Sequence, residues 1–111
     1  METETRGGDR MYQIAICDDD FIAGNQIRSM AELALWEHGI KASCQVYQSP
    51  AVLLAELRSG LRYDLYLLDI LMGAENGVEL ARTLRAGGNR AKLVFVNCGA
   101  ILALISSVLL V

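Results

Sequence analysis

Three cysteines are scattered through the 111 residues, and none neighbours another. Cys17, Cys44 and Cys98 form neither a CxxC redox pair nor a zinc knuckle. An odd number of widely spaced thiols suits buried, reduced side chains and a cytoplasmic location. Positive charge is also in short supply. Ten Lys and Arg stand against 13 Asp and Glu, a formal net charge of −3, and no basic face of the kind nucleic acids require is obvious in their order. The longest apolar run, Gly99 to Val111, is shorter than the ~20 residues of a membrane-spanning helix, so no membrane partner is expected. No apolar segment follows the polar opening METETRGGDR, which argues against a secretory signal. Residues 1–10 are expected to be a disordered leader or a tag remnant, with one domain over 11–111. Repeats, low-complexity tracts and linkers are absent after residue 11. What is present is 53% hydrophobic and 21% charged, the composition of a single globular domain with a buried core.

Short apolar runs alternate with longer amphipathic ones. Tyr12 to Cys17 (YQIAIC) predicts a buried strand that stops at three aspartates. Phe21 to His38 carries Ile22, Ile27, Met30, Ala31, Ala34 and Leu35 at helical spacing, and Gly39 stops it. Ala42 to Tyr47 predicts a second strand. Ser49-Pro50 reads as a helix start, with Ser at the N-cap and Pro at the first helical position, for a helix running to about Ser59. Asp64 to Ile70 predicts a third strand. Asn76-Gly77 breaks the chain, and Val78 to Ala86 predicts another helix. Ala91 to Val96 predicts a fourth strand, with a further helix from Gly99. Strands separated by helices imply a parallel sheet covered on both faces, an α/β doubly wound domain. Its working site belongs at the carboxyl ends of the strands.

Polar groups stand at those ends: Asp18, Asp19 and Asp20 after the first strand, Asp69 at the third and Asn97 at the fourth. Carboxylates brought to one edge repel each other unless a cation lies between them. All-oxygen ligands suit a hard divalent ion, and Mg²⁺ is the usual choice where phosphate is handled. A carboxylate beside such an ion can attack phosphorus and form an aspartyl phosphate. Plain capping competes with this reading for Asp18 and Asp19, and Asp20 is expected to cap the helix at Phe21. Asp69 closes an apolar strand where no cap is needed. Asn97 reads equally well as a loop residue bonding its own backbone.

IAICDDD (14–20), DLYLLDILMGAENGVELARTLR (64–85) and KLVFVN (92–97) resemble, in order and spacing, the receiver domains of two-component response regulators. The flavodoxin-like receiver fold is thereby implied over about residues 12 to 98. ICDDD and NGVELA are most similar to receivers joined to LytTR-type DNA-binding domains. The resemblance implies that Asp69 is the phosphoacceptor, and that Asp18, Asp19, Asp69 and the backbone carbonyl of Leu71 hold Mg²⁺, with Asp19 a more direct ligand than Asp18. It implies a sensor histidine kinase as phosphoryl donor and transcription as the controlled process. DNA would be reached only through an output domain absent from this chain. Such a domain assists its own phosphoryl transfer without being an enzyme in the ordinary sense.

Three features depart from the family. Gly73 stands where proline is usual, and Asn97 replaces the hydroxyl residue that contacts the phosphoryl group. An amide still donates a hydrogen bond. No lysine follows Lys92, whereas the family has a fifth strand ending in lysine and then a fifth helix. The fifth strand and helix are thus expected to be missing or altered. The run AILALISSVLLV is apolar on all faces, unlike a surface helix. It is expected to be buried either by pairing of its tail, SVLLV, as a substitute strand or by a homodimer, the dimer being favoured.

Rival classes fit less well. A haloacid-dehalogenase-like phosphotransferase wants an Asp where Leu71 stands. A nucleotide or flavin binder wants a Gly- or Ser/Thr-rich loop in place of DDDFIAG, which repels anions. A receiver-like interaction module that is never phosphorylated remains the alternative.

Overall fold

The computed structural model describes residues 11–72 and 75–96, with backbone alone at 71 and 75. Four parallel strands form one sheet: β1 (Tyr12–Cys17), β2 (Ala42–Tyr47), β3 (Leu65–Asp69) and, after a two-stranded hairpin of β4 (Leu71–Met72) and β5 (Glu75–Asn76), β6 (Lys92–Val96). The sheet order is β2-β1-β3-β6. Helix α1 (Phe21–Glu37) follows β1, α2 (Pro50–Arg58) follows β2, and α3 (Gly77–Ala86) follows the hairpin. This is the expected doubly wound α/β arrangement and the flavodoxin-like receiver fold, with fewer elements among the described residues than a full receiver has.

Alternation along the strands sorts the core into two layers, because neighbouring strand residues face opposite sides of the sheet. Ile14 and Ile16 pack with Ile27, Ala31 and Leu35 of α1 and with Leu65 and Leu67 of β3. Ala15 and Cys17 face the other way, onto Leu53 of α2, Leu80 and Leu84 of α3, and Tyr66 and Leu68. The buried stretches 14–17 of β1 and 65–68 of β3 are therefore apolar, as strands covered on both faces must be. Cys17 and Cys44 are buried and unbridged. Desolvation, followed by the charge of Glu32, pushes the Cys44 thiol up to about 12, so it stays protonated and inert. Cys98 lies outside the described residues.

The second layer holds three linked tyrosines. The hydroxyls of Tyr47 and Tyr63 lie 2.5 Å apart, the Tyr63 ring meets Tyr47 and Tyr66 edge-on, and Asn89 donates to the Tyr66 hydroxyl at 2.9 Å. Polar tips that would be orphaned beneath α2 are thereby paired.

Element starts follow the expected local chemistry. Asp20 caps α1, accepting from the amides of Ile22 and Ala23, and Ser49 caps α2 with Pro50 in the first turn. The boundaries expected from sequence shift by a residue or so at α1, α2, α3, β3 and β6. Asn76 is more than a break. Its side chain accepts from Val78 and Glu79 as the N-cap of α3.

Candidate functional site

The first strand and the third lie side by side, with Cys17 opposite Leu68. The helix after β1 covers one face, whereas the helices after β2 and β3 cover the other. Ligand sites in open α/β sheets form at the carboxyl edge where the chain reverses its winding in this way. Asp18, Asp19 and Asp69 stand at that place. Each offers a carboxylate oxygen within 4.8 Å of the others.

The three carboxylates differ in setting. Asp18 is 4% exposed. Its Oδ1 accepts the Asp20 amide at 2.9 Å, and its own amide donates to the Tyr47 carbonyl at 2.9 Å. Desolvation raises its pKa above the ordinary 3.8; the Asp20 amide opposes this, and the charges of Asp69, Asp19 and Asp20 add to it. Asp19 is exposed and Asp69 half-buried, so a group arriving from solvent meets these two first. Asp20 turns away to cap α1, which matches its expected role.

Two glycines let the backbone close around the site. A Cβ on Gly77 would overlap the backbone carbonyl of Asp69. The Gly77 amide donates to the Ile70 carbonyl at 2.8 Å. Only glycine allows the first turn of α3 to sit on the end of β3. On the other side, a Cβ on Gly24 would lie 2.7 Å from Val46 Cγ1 and 3.6 Å from Asp18 Cβ. Sequence reasoning passed over Gly24, and it read Gly77 only as a break. The capping role of Asn76 had a signal in the sequence, an Asn three residues before Glu79 at the head of an apolar helix pattern.

Leu71 lies in β4, where its partner across the hairpin is Asn76. The hairpin therefore fastens the segment after Asp69 to the cap of α3. Gly73, Asn97 and the run Gly99–Val111 lie outside the described residues. Among the described residues, no helix is long and apolar enough to cross a membrane.

No protein-family model matches the chain, and no curated protein matches it by sequence. Solved structures do resemble it. The receiver domain of the Francisella response regulator 1452 is 21% identical, with a TM-score of 0.57 over 76% of this chain. The chain spans 64% of that protein's length. Chemotaxis response regulator CheY4 of Vibrio cholerae is 19% identical, with a TM-score of 0.56 over 78% of this chain and 68% of its own. A chain in the structure of histidine kinase ThkA with response regulator protein TrrA is 29% identical, with a TM-score of 0.55 over 77% of this chain and 67% of its own. The structural neighbours are thus response-regulator receiver domains.

Proposed function

We propose that this chain is the phosphoacceptor receiver domain of a two-component response regulator, with Asp69 as the acceptor. The observation that carries the reading is the meeting of Asp18, Asp19 and Asp69 within 4.8 Å at the winding reversal of the sheet. A purely structural set of carboxylates has no reason to gather there at the expense of mutual repulsion.

The donor set suits Mg²⁺, because it consists of oxygens only and one member is desolvated and held by a backbone amide. Asp18, Asp19, Asp69 and the Leu71 carbonyl would hold the ion, which when bound neutralises the carboxylates and the phosphoryl oxygens. Asp69 supplies the nucleophile. One of its carboxylate oxygens forms a bond to phosphorus as the phosphorus–nitrogen bond of a phosphohistidine breaks, and the freed imidazole takes up a proton. Asp18 is fixed by its bond to the Asp20 amide, so it serves to orient rather than attack. Asn97 is the residue of this chain suited to donate a hydrogen bond to the transferred group. The domain assists this transfer and is not otherwise an enzyme.

A sensor histidine kinase is the donor this reading requires, and the likeness to a chain in a histidine kinase–response regulator complex supports it. The wording ICDDD and NGVELA supports an output domain of the LytTR type, hence control of transcription in the cytoplasm. Homodimerisation through Gly99–Val111 belongs to the same proposal. β6 is paired on one side only among the described residues, and such an edge favours addition of a strand. Light scattering at micromolar concentration should give twice the chain mass, and a monomer would remove this part.

Acetyl phosphate with Mg²⁺ should add one phosphoryl group to the wild-type chain and none to Asp69→Asn. Equal labelling of the two would refute the assignment. Failure to label the wild type at all would leave a receiver-like interaction module.

A further inference from the structure

The fold collects charge that the sequence scatters. Six of the ten Lys and Arg lie between Arg58 and Lys92. Arg58 ends α2, Arg62 lies in the connection to β3, Arg85 is in the last turn of α3, Arg90 follows α3 and Lys92 opens β6. All five stand at the amino edge of the parallel sheet. The carboxylates at 18, 19, 20 and 69 stand at the opposite edge.

At the basic end, a groove of about 440 Å³ runs between the last turns of α2 and α3. Its apolar lining is half-buried Leu54 and Leu57 and buried Leu84; exposed Arg58 and Arg62 stand at its rim. No carboxylate lines it. Nη1 of Arg62 donates to the carbonyls of Leu57 and Leu61 at 3.0 and 2.8 Å, which fixes the guanidinium and leaves its other donors without a partner among the described residues. Arg58 has no hydrogen bond or ion pair there either. The nearest acids in sequence are turned to other uses or positions: Asp64 accepts from the Gln13 amide, and Glu56 does not line the groove. At Gly87 and Gly88 no side chain obstructs entry. The site differs from the usual one in such sheets, which lies at the carboxyl edge.

We propose that this groove docks an acidic, leucine-bearing peptide segment of a partner protein, with leucines on Leu54, Leu57 and Leu84 and carboxylates on Arg58 and Arg62. Charge complementarity selects this occupant. Guanidinium groups with free donors pair with carboxylates in forked geometry, and the acidic opposite edge repels such a peptide and steers it to this end. Docking here is independent of phosphorylation at Asp69.

A synthetic peptide of repeated Leu-Glu-Glu-Leu units, titrated into the isotope-labelled full chain, tests this by amide chemical shifts. Shifts should concentrate at Leu57, Arg58, Arg62, Gly87 and Gly88. Affinity should fall about tenfold in an Arg58→Glu/Arg62→Glu variant, because reversal turns two attractive rim contacts into repulsive ones, and should weaken with added salt. Arg58→Lys/Arg62→Lys should bind more tightly than the charge-reversed variant, and Asp69→Asn should bind as the wild type does. No shifts, shifts centred on another face such as that of exposed Trp36, or binding insensitive to salt would overturn the proposal. Capture by phosphatidylserine vesicles with no peptide binding would overturn it too. If charge reversal unfolds the chain, the salt dependence and the location of the shifts in the wild type still decide.

Discussion

Asp18 is the buried charged side chain among the described residues, and its environment carries a cost that can be measured. Its folded pKa lies above the ordinary 3.8, mainly through desolvation. The folded state therefore holds this proton more tightly than the unfolded chain does. The sign follows from linkage: without a divalent ion, stability is greater below pH 3.8 on this account, falls as pH rises through the folded pKa, and stays lower at neutral pH. Asp18→Asn keeps an oxygen for the Asp20 amide and removes the charge. It should raise the melting temperature at pH 7 in chelator and flatten the pH dependence; an unchanged or lowered value would contradict this. Asp20 provides the contrast. Its side chain serves α1, so Asp20→Ala should cost about 1 kcal/mol, while the response to Mg²⁺ persists. Asp19→Ala should weaken that response more than Asp20→Ala does. Denaturant titrations with and without the ion separate the two.

Elements were legible in proportion to how much of their cause is local. β1, β2 and the caps at Asp20 and Ser49 could be read directly, because an apolar run, a carboxylate and a Ser-Pro pair act over a few residues. The pocket could be read as well, since parallel topology alone brings the ends of β1 and β3 together. The β4–β5 hairpin could not. Two residues per strand leave no alternation to detect, and the pairing of Leu71 with Asn76 is fixed by the tertiary position of α3. Gly77 has the same origin: its requirement comes from the Asp69 carbonyl, eight residues earlier in sequence and adjacent only after folding. Gly77→Ala must displace that backbone, and it should destabilise the chain by roughly 1–3 kcal/mol, as overpacking does. It should also slow acetyl phosphate labelling at Asp69, because the acceptor strand end shifts. Unchanged stability and labelling would show that α3 can move away without consequence. The basic amino edge was likewise hidden, since Arg58 and Arg62 reach it through the α2–β3 connection and Arg85 and Arg90 through the α3–β6 connection.

At the scale of the whole molecule, the sheet separates an acidic edge from a basic one. That separation makes stability depend on a cation at one end only. Mg²⁺ binding to the folded chain and not to the unfolded one should stabilise it by about 2.7 kcal/mol at a hundred times Kd, and Asp19→Ala should reduce the effect. A melting temperature indifferent to millimolar Mg²⁺ would deny the ion a place in the pocket. The proposed function makes Asp69, and not its neighbours, the nucleophile. The most direct test is to treat the chain with acetyl phosphate and Mg²⁺, reduce it with borohydride, and locate the product by tandem mass spectrometry. An aspartyl phosphate is converted to homoserine at the residue that carried it. The account predicts homoserine at position 69. Homoserine at 18, 19 or 20, or at no position in a folded, Mg²⁺-loaded chain, would contradict it.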